Sequence, residues 1–226
     1  MQNLKLKRYH KLVIAADGSA ASGKTTGARL ISKKYGMKFL SSGLLYRYAS
    51  YLMLKNKPKN YISFLKKSFH KLNLSKLNKK DLHSQEISYH TSKIAKNKKI
   101  RGILKIFQKK FAKKYNKVII EGRDIQTKIL PNADIKFFFK CSLNVAAQRR
   151  FKELRKKNKN LKLADVKKAM RIRDNLDKKR KISPLIQAKN AVIVHSDRIN
   201  IQETIRIMSK VIEEKINKKY GSRTRN

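Results

Sequence analysis

Cysteine occurs once in the 226 residues, at Cys141. A single thiol closes no intrachain disulfide, which excludes a cross-linked scaffold and suits a reducing compartment. Cys141 follows the apolar run Phe137-Phe138-Phe139 and reads as a small buried hydrophobe rather than a nucleophile. Long apolar stretches are missing too. None approaches the about 20 residues that span a bilayer. The basic segment from Met1 to Lys11 is not followed by an apolar core of signal-peptide length. The sequence therefore predicts a soluble cytoplasmic protein with no membrane partner.

Acidic residues are scarce: 14 Asp and Glu stand against 59 Lys and Arg, a formal net charge of +45. Such an excess attracts phosphate-bearing ligands at low salt, and by itself it would suit a nucleic-acid or anionic-membrane surface. The excess is mostly Lys, spread along the chain beside many Asn and Ile. Those three residues share A/T-rich codons, so compositional bias produces the same pattern. Dispersed Lys is a poorer footprint for nucleic acid than a clustered stripe, and no specific nucleic-acid partner is expected.

At 226 residues the chain suffices for one full core with a small accessory element. Five short apolar runs punctuate it: Leu12 to Ala16, Met37 to Leu40, Val118 to Ile120, Ile135 to Phe139 and Ala191 to Val194. Between them lie helical patterns: Lys24 to Tyr35 with Gly36 as a stop, Leu44 to Leu54, Val145 to Lys157 and Ala164 to Arg180. Ile100, Ile103, Leu104, Phe107 and Phe111 share one helical face, as do Ile201, Ile205, Met208, Ile212 and Ile216. Lys55 to Lys80 shows weak periodicity and reads as the least structured stretch, with helical patterns resuming from Asp81. Tyr220 to Asn226 reads as a frayed tail. Buried strands alternating with helices predict an α/β fold, a five-stranded parallel sheet flanked by helices.

Gly18-Ser19-Ala20-Ala21-Ser22-Gly23-Lys24-Thr25 fits G-x-x-x-x-G-K-[ST] at every fixed position. It follows the first strand run and opens a helix, the context the motif requires. Glycines let backbone N–H groups curl around phosphates, and the helix N-terminus adds positive potential. Residues Gly18 through Thr26 are thus the candidate ATP-binding segment. Lys24 is expected at the β- and γ-phosphates, and the Thr25 hydroxyl at Mg²⁺. The loop alone leaves several classes open. The chain is too short for most motors, and no N-K-x-D run of a guanine site occurs.

Four segments narrow the choice. They are Ile14-Ala15-Ala16-Asp17-Gly18 leading into the loop, Leu40-Ser41-Ser42-Gly43-Leu44-Leu45-Tyr46-Arg47, Glu121-Gly122-Arg123-Asp124-Ile125-Gln126-Thr127, and Arg173-Asp174-Asn175-Leu176-Asp177-Lys178-Lys179-Arg180 followed by Ser183-Pro184-Leu185. In order and spacing they resemble bacterial cytidylate kinases, P-loop nucleoside monophosphate kinases, over most of residues 10 to 218. The resemblance implies a single P-loop kinase domain, 1–226. Its core would carry a small acceptor-binding lobe at approximately 48–92 and a helical lid at approximately 149–183. It implies transfer of the γ-phosphate of ATP, with Mg²⁺, to CMP or dCMP by a monomer.

Matched residue by residue, Ser42, Ser92, Arg101 and Asp124 fall at positions around the cytosine. Arg47 and Arg123 fall near the acceptor phosphate, Arg173 and Asp177 at the ribose, and Arg180 at the phosphates. Lys24, Arg123, Arg173 and Arg180 are then the candidate catalytic cations. Arg149 and Arg150 stand where the lid begins. The chain departs from the family pattern at Ser19 (usually Pro), Gln126 (usually Gly) and Leu176 (often Arg), and its stretch from Arg47 to Ser92 is short. Ser42 also has the position of an N-cap for the helix starting near Leu44, and Asp177 that of an i, i+3 partner of Arg180.

The residue types suit the chemistry. A carboxylate accepts from the cytosine amino group, and a guanidinium donates to its ring acceptors. Uracil would leave that buried carboxylate unpaired. Phosphoryl transfer requires in-line placement and positive charge around the moving group more than covalent help. Two other readings stay open: a P-loop kinase for a different small acceptor, and a nucleic-acid-binding protein with an ATP site.

Overall fold

In the computed structural model, which describes residues 6–7, 9–78, 82–156 and 158–221, the five apolar runs become strands. They are β1 (Leu12–Gly18), β2 (Lys38–Ser41), β3 (Lys117–Gly122), β4 (Ile135–Lys140) and β5 (Val192–His195). They form one sheet in the order β2-β3-β1-β4-β5. β1 pairs in parallel with β3 and β4, and β4 with β5. Asp17 stands opposite Gly122, and Gly18 opposite Phe139. Those pairings set the last residues of β1, β3 and β4 side by side, at the carboxyl edge where parallel sheets bind ligands.

The helices of this first compact unit (Met1–Leu40 with Tyr115–Asn226) are α1 (Lys24–Lys34), α7 (Leu143–Arg155), α8 (Leu163–Lys179) and, after the last strand, α9 (Ile201–Tyr220). Side chains alternate along a strand. Leu12, Ile14 and Ala16 of β1, with Ile119, Phe137 and Phe139, meet Ala28 and Ile31 of α1 and Met208, Ile212 and Ile216 of α9 in one cluster. Ala15, Val118, Ile120 and Phe138, of opposite parity, are buried as well. Both faces of the sheet are therefore covered, as continuous apolar strands require.

Helix ends follow local chemistry. Gly36 takes φ 60° after α1, where the Met37 N–H returns to Ser32 O at 2.8 Å. Ser142 caps α7, and Asn200 with Glu203 forms a full capping box on α9. α7 and α8 share a separate small cluster of Ala146, Ala147, Val166 and Met170, against which Ala20 and Ala21 pack.

Residues Ser41–Lys114 form a second compact unit, helical wherever an element is described: α2 (Ser42–Asn56), α3 (Tyr61–His70), the short α4 (Ser75–Asn78), α5 (Gln85–Ile94) and α6 (Lys98–Lys114). The expectation of little structure over 55–80 is corrected by α3. Leu65 and Phe69, one turn apart, are both buried there. Phe69 meets the rings of Tyr48 and Phe107 edge-on at 6.1 and 5.8 Å. Tertiary packing overrides the weak local pattern. A second correction concerns the cap of α2. Ser41 accepts from the Leu44 N–H at 3.3 Å, and Ser42 is the first helical residue. The expected positions at Asp81, at Lys157 and over 222–226 of the tail lie outside the described residues; Tyr220 closes α9.

Among the described residues no helix is long and apolar enough to cross a membrane.

Candidate active site

The loop between β1 and α1 owes its shape to two glycines. A Cβ at Gly18 would lie 2.6 Å from the Phe139 carbonyl oxygen and 2.9 Å from its Cβ, so only glycine fits against β4. Gly23, with φ 81°, supplies the left-handed turn into α1. No side chain caps that helix end, which leaves its N-terminal dipole facing the loop. Ala21 also takes a positive φ, 52°.

Lys24 folds back to donate from Nζ to Ser19 O at 2.9 Å. Burial pushes its pKa down to about 8, and the charges of Arg123 and Arg173 push the same way; Glu121 and Asp17 oppose them. Four charged groups thus act on one ammonium at the end of the sheet. Thr25 is half-buried in the first turn of α1, Thr26 exposed beside it, and the Ser22 hydroxyl donates inside the loop to Ser19 O.

The arginines of the first unit converge with carboxylates of α8. Arg123 Nη1 lies 2.8 Å from Asp177 Oδ2 and 3.5 Å from Asp174 Oδ1. Asp174 Oδ1 also accepts from the Ala20 N–H of the loop at 3.4 Å. Arg180 faces Asp177 Oδ1 at 3.4 Å and the buried Asp124 Oδ1 at 3.8 Å, and its Nε donates to Ser183 O. Asp177 is therefore more than a partner of Arg180. It bridges Arg180 of its own helix and Arg123 at the end of β3.

Arg149 lies beside the loop, donating to Ser196 O at 2.5 Å, while the Ser196 hydroxyl donates to Ser22 O at 2.7 Å. Arg150 instead pairs with Glu153 at 2.7 Å in a surface i, i+3 contact. Cys141 is half-buried, packed against the α7–α8 cluster, and burial raises its pKa.

In the second unit, Arg47 is buried and donates to Leu82 O at 2.9 Å and to the Ser88 hydroxyl at 2.8 Å. The Ser92 hydroxyl donates to Ser88 O at 3.2 Å. Arg101, also buried, donates to Ala95 O at 3.0 Å and stands 5.5 Å from the Tyr46 ring centroid. Ser42 is buried at the start of α2.

Sequence reasoning passed over Asp17 and Glu121, although both are buried beside Lys24. The available signal was an acid closing an otherwise apolar strand at the ligand-binding edge of the sheet.

A family model described as cytidylate kinase matches residues 14–214. The chain belongs to the cytidylate kinase family. Among curated relatives, the cytidylate kinase of Clostridium botulinum (strain Okra / Type B1) is 35% identical over 212 residues, covering 89% of this chain and 97% of the relative. That of Bartonella tribocorum is 37% identical over 206 residues, covering 89% and 94%. Among solved structures, an uncharacterized protein from Eubacterium ventriosum superposes with a TM-score of 0.53 at 15% identity, covering 90% of this chain and 99% of that one. A shikimate kinase from Bacteroides thetaiotaomicron does so at 0.50 and 15%, covering 89% and 98%. At that identity these two show the fold alone. As a member of the cytidylate kinase family, this chain is a kinase acting on small nucleotides.

Proposed function

We propose that the chain transfers the γ-phosphate of ATP to CMP or dCMP, giving ADP and the corresponding diphosphate. The observation that carries this reading is the gathering of Lys24, Arg123 and Arg173 at the loop, with Asp124 buried at the end of the same sheet. Cations suit a transferring phosphoryl group, and a buried carboxylate suits an amino-bearing base.

Lys24 leaves the Ser19 carbonyl to meet the β- and γ-phosphates, and the Gly18–Thr26 segment wraps the nucleotide with its N–H groups. The half-buried Thr25 hydroxyl, at the uncapped N-terminus of α1, is a suitable oxygen ligand for Mg²⁺, and the Glu121 and Asp17 carboxylates act on the neighbouring Lys24. An ion held there would supply charge neutralisation to the phosphate oxygens. Arg123 and Arg180 exchange their carboxylate partners for phosphate oxygens, which are already anionic, so no general base is required. Asp124 accepts from the cytosine amino group. Arg173 and Asp177 serve the ribose. In the second unit the family resemblance assigns acceptor contacts to Ser42, Arg47, Ser92 and Arg101. The domain organisation proposed is one kinase core carrying an acceptor-binding insertion and the α7–α8 lid. The chain acts as a cytoplasmic monomer with no nucleic-acid partner.

ADP formation with ATP and Mg²⁺, offering CMP, dCMP, UMP, AMP and GMP separately, tests the reading. Turnover with CMP or dCMP, little with UMP, and loss in Lys24→Ala is the expected result. Better turnover with another monophosphate would sink the cytosine assignment.

A further inference from the structure

Asp124 is followed at once by a π-helical turn, Ile125–Ile129, a rare form that recurs at functional sites. The Asp124 carbonyl accepts from Lys128 N at 2.9 Å and Ile129 N at 3.3 Å. The next two N–H groups have no partner inside the turn. Both go to one carboxylate: Ile125 N donates to Asp17 Oδ1 at 3.0 Å and Gln126 N to Asp17 Oδ2 at 2.8 Å. Asp17 is wholly buried at the end of β1, directly before the phosphate loop.

Gln126 is buried as well, at 1% exposure. Its amide Nε2 donates to Phe137 O on β4 at 3.1 Å, and its Oε1 accepts from Ala188 N at 3.0 Å. Ala188 belongs to the segment that leaves α8, where Leu185 N donates to Asp177 O at 2.8 Å. One glutamine therefore ties the turn behind Asp124 to the central sheet and to the chain returning from the arginine-bearing helix.

We infer that Gln126, seated on Asp17, is a positioning residue for acceptor recognition: it holds the Arg123–Asp124 corner in place and couples it to the segment that follows Arg180. The inference rests on the cytidine nucleotide reading above. Gln126 touches no substrate atom and acts through Asp124. Misplacing a reading group by about 1 Å costs up to about a hundredfold in rate, so loss of these bonds registers in acceptor parameters first.

Gln126→Met in the full chain keeps the side chain's length and removes both of its hydrogen bonds. Steady-state kinetics would be measured with CMP, UMP and ATP varied in turn, with thermal unfolding as a folding control. The expected result is a CMP KM raised about tenfold and a CMP-to-UMP preference lowered by a similar factor, with the ATP KM within about twofold. A merely structural role would lower the amount of active enzyme and move neither ratio. Should the Met variant fail to fold, Gln126→Glu takes its place, since it keeps the acceptor for Ala188 and loses the donor to Phe137. Unchanged CMP KM and unchanged preference in a folded variant overturn the inference and leave the kinase assignment standing. An unsubstituted chain inactive toward both CMP and dCMP overturns that assignment, and the inference with it.

Discussion

Arg123 Nη1 and Asp177 Oδ2 stand 2.8 Å apart, joining the end of β3 to α8. The same carboxylate meets Arg180 at 3.4 Å, so one acid is shared by two cations that, under the proposed function, turn to phosphate. Removing it has opposite effects on two ligands. In Asp177→Asn, inhibition by sulfate, which has no ribose, is expected to strengthen about threefold to fivefold, the scale of a partly exposed ion pair. For CMP, which under the proposed function also uses Asp177 at the ribose, kcat/KM is expected to fall about tenfold. Parallel changes for both ligands would show that Asp177 acts on charge alone.

Asp124 is buried and faces Arg180 at 3.8 Å. If its carboxylate reads the cytosine amino group, Asp124→Ala removes the basis for rejecting uracil. A specific base contact is worth about 1–3 kcal/mol, so the CMP-to-UMP ratio of kcat/KM is expected to fall about tenfold or more. Competition between the two acceptors in one reaction measures this directly. A preserved ratio would move base recognition elsewhere.

All five strands and the phosphate loop were legible because their signals are local: apolar runs of three to five residues and a spaced Gly-Lys-Thr pattern. α3 was not, because Lys66, Lys67 and Lys71 surround Leu65 and Phe69, and only packing on Tyr48 and Phe107 reveals the apolar face. Asp17 escaped for a related reason. It reads as the last residue before a glycine loop, while its partners Ile125 and Gln126 lie 108 and 109 positions away. The family resemblance named Arg123, Asp177 and Arg180 individually. The i, i+3 spacing offered the Asp177–Arg180 pair, but the pairing of Asp177 with Arg123 depends on how α8 folds back over the end of β3, which no spacing in the chain encodes.

Lys24 carries a pKa lowered to about 8, chiefly by burial. Above that pH the unliganded lysine is neutral, whereas a bound triphosphate favours the ammonium. ATP affinity is therefore expected to be flat below about pH 7.5 and to fall by about tenfold per unit above pH 8 until the ligand-bound pKa is reached. Lys24→Arg, charged throughout this range, is expected to flatten the profile whatever its rate. ATP KM measured from pH 6.5 to 9.5 in both chains checks the point.

Asp17 is shifted the other way, up to about 7 from 3.8, with burial as the main cause and the nearby Asp124 charge adding to it. The folded chain therefore holds this proton more tightly than the unfolded one. Its stabilising contribution is complete below about pH 3.8 and is lost as pH rises to about 7. Asp17→Asn removes that dependence. The urea midpoint of the unsubstituted chain is expected to decline between pH 4.5 and 7 relative to the variant's. Parallel midpoints would place the Asp17 pKa near its ordinary value.

Phe139 and Phe137 are buried alike on β4, in the cluster with α1 and α9, yet only Phe139 underlies the loop. It pairs with Gly18, whereas Phe137 pairs with Ala16. The Phe139 ring also lies 3.1 Å from where a Gly27 Cβ would be, against α1. Truncating either ring to alanine opens a core cavity that costs about 3–5 kcal/mol. Phe139→Ala and Phe137→Ala are thus expected to lose similar stability in urea. They should part company at the site. Without its ring, Phe139 no longer braces Gly27 of α1 beside the loop, so ATP KM is expected to rise about threefold or more in Phe139→Ala and to stay near the parent value in Phe137→Ala. Equal ATP KM in the two folded variants would mean that the loop holds its shape through Gly18, Gly23 and the Ser22–Ser196 contact without support from below.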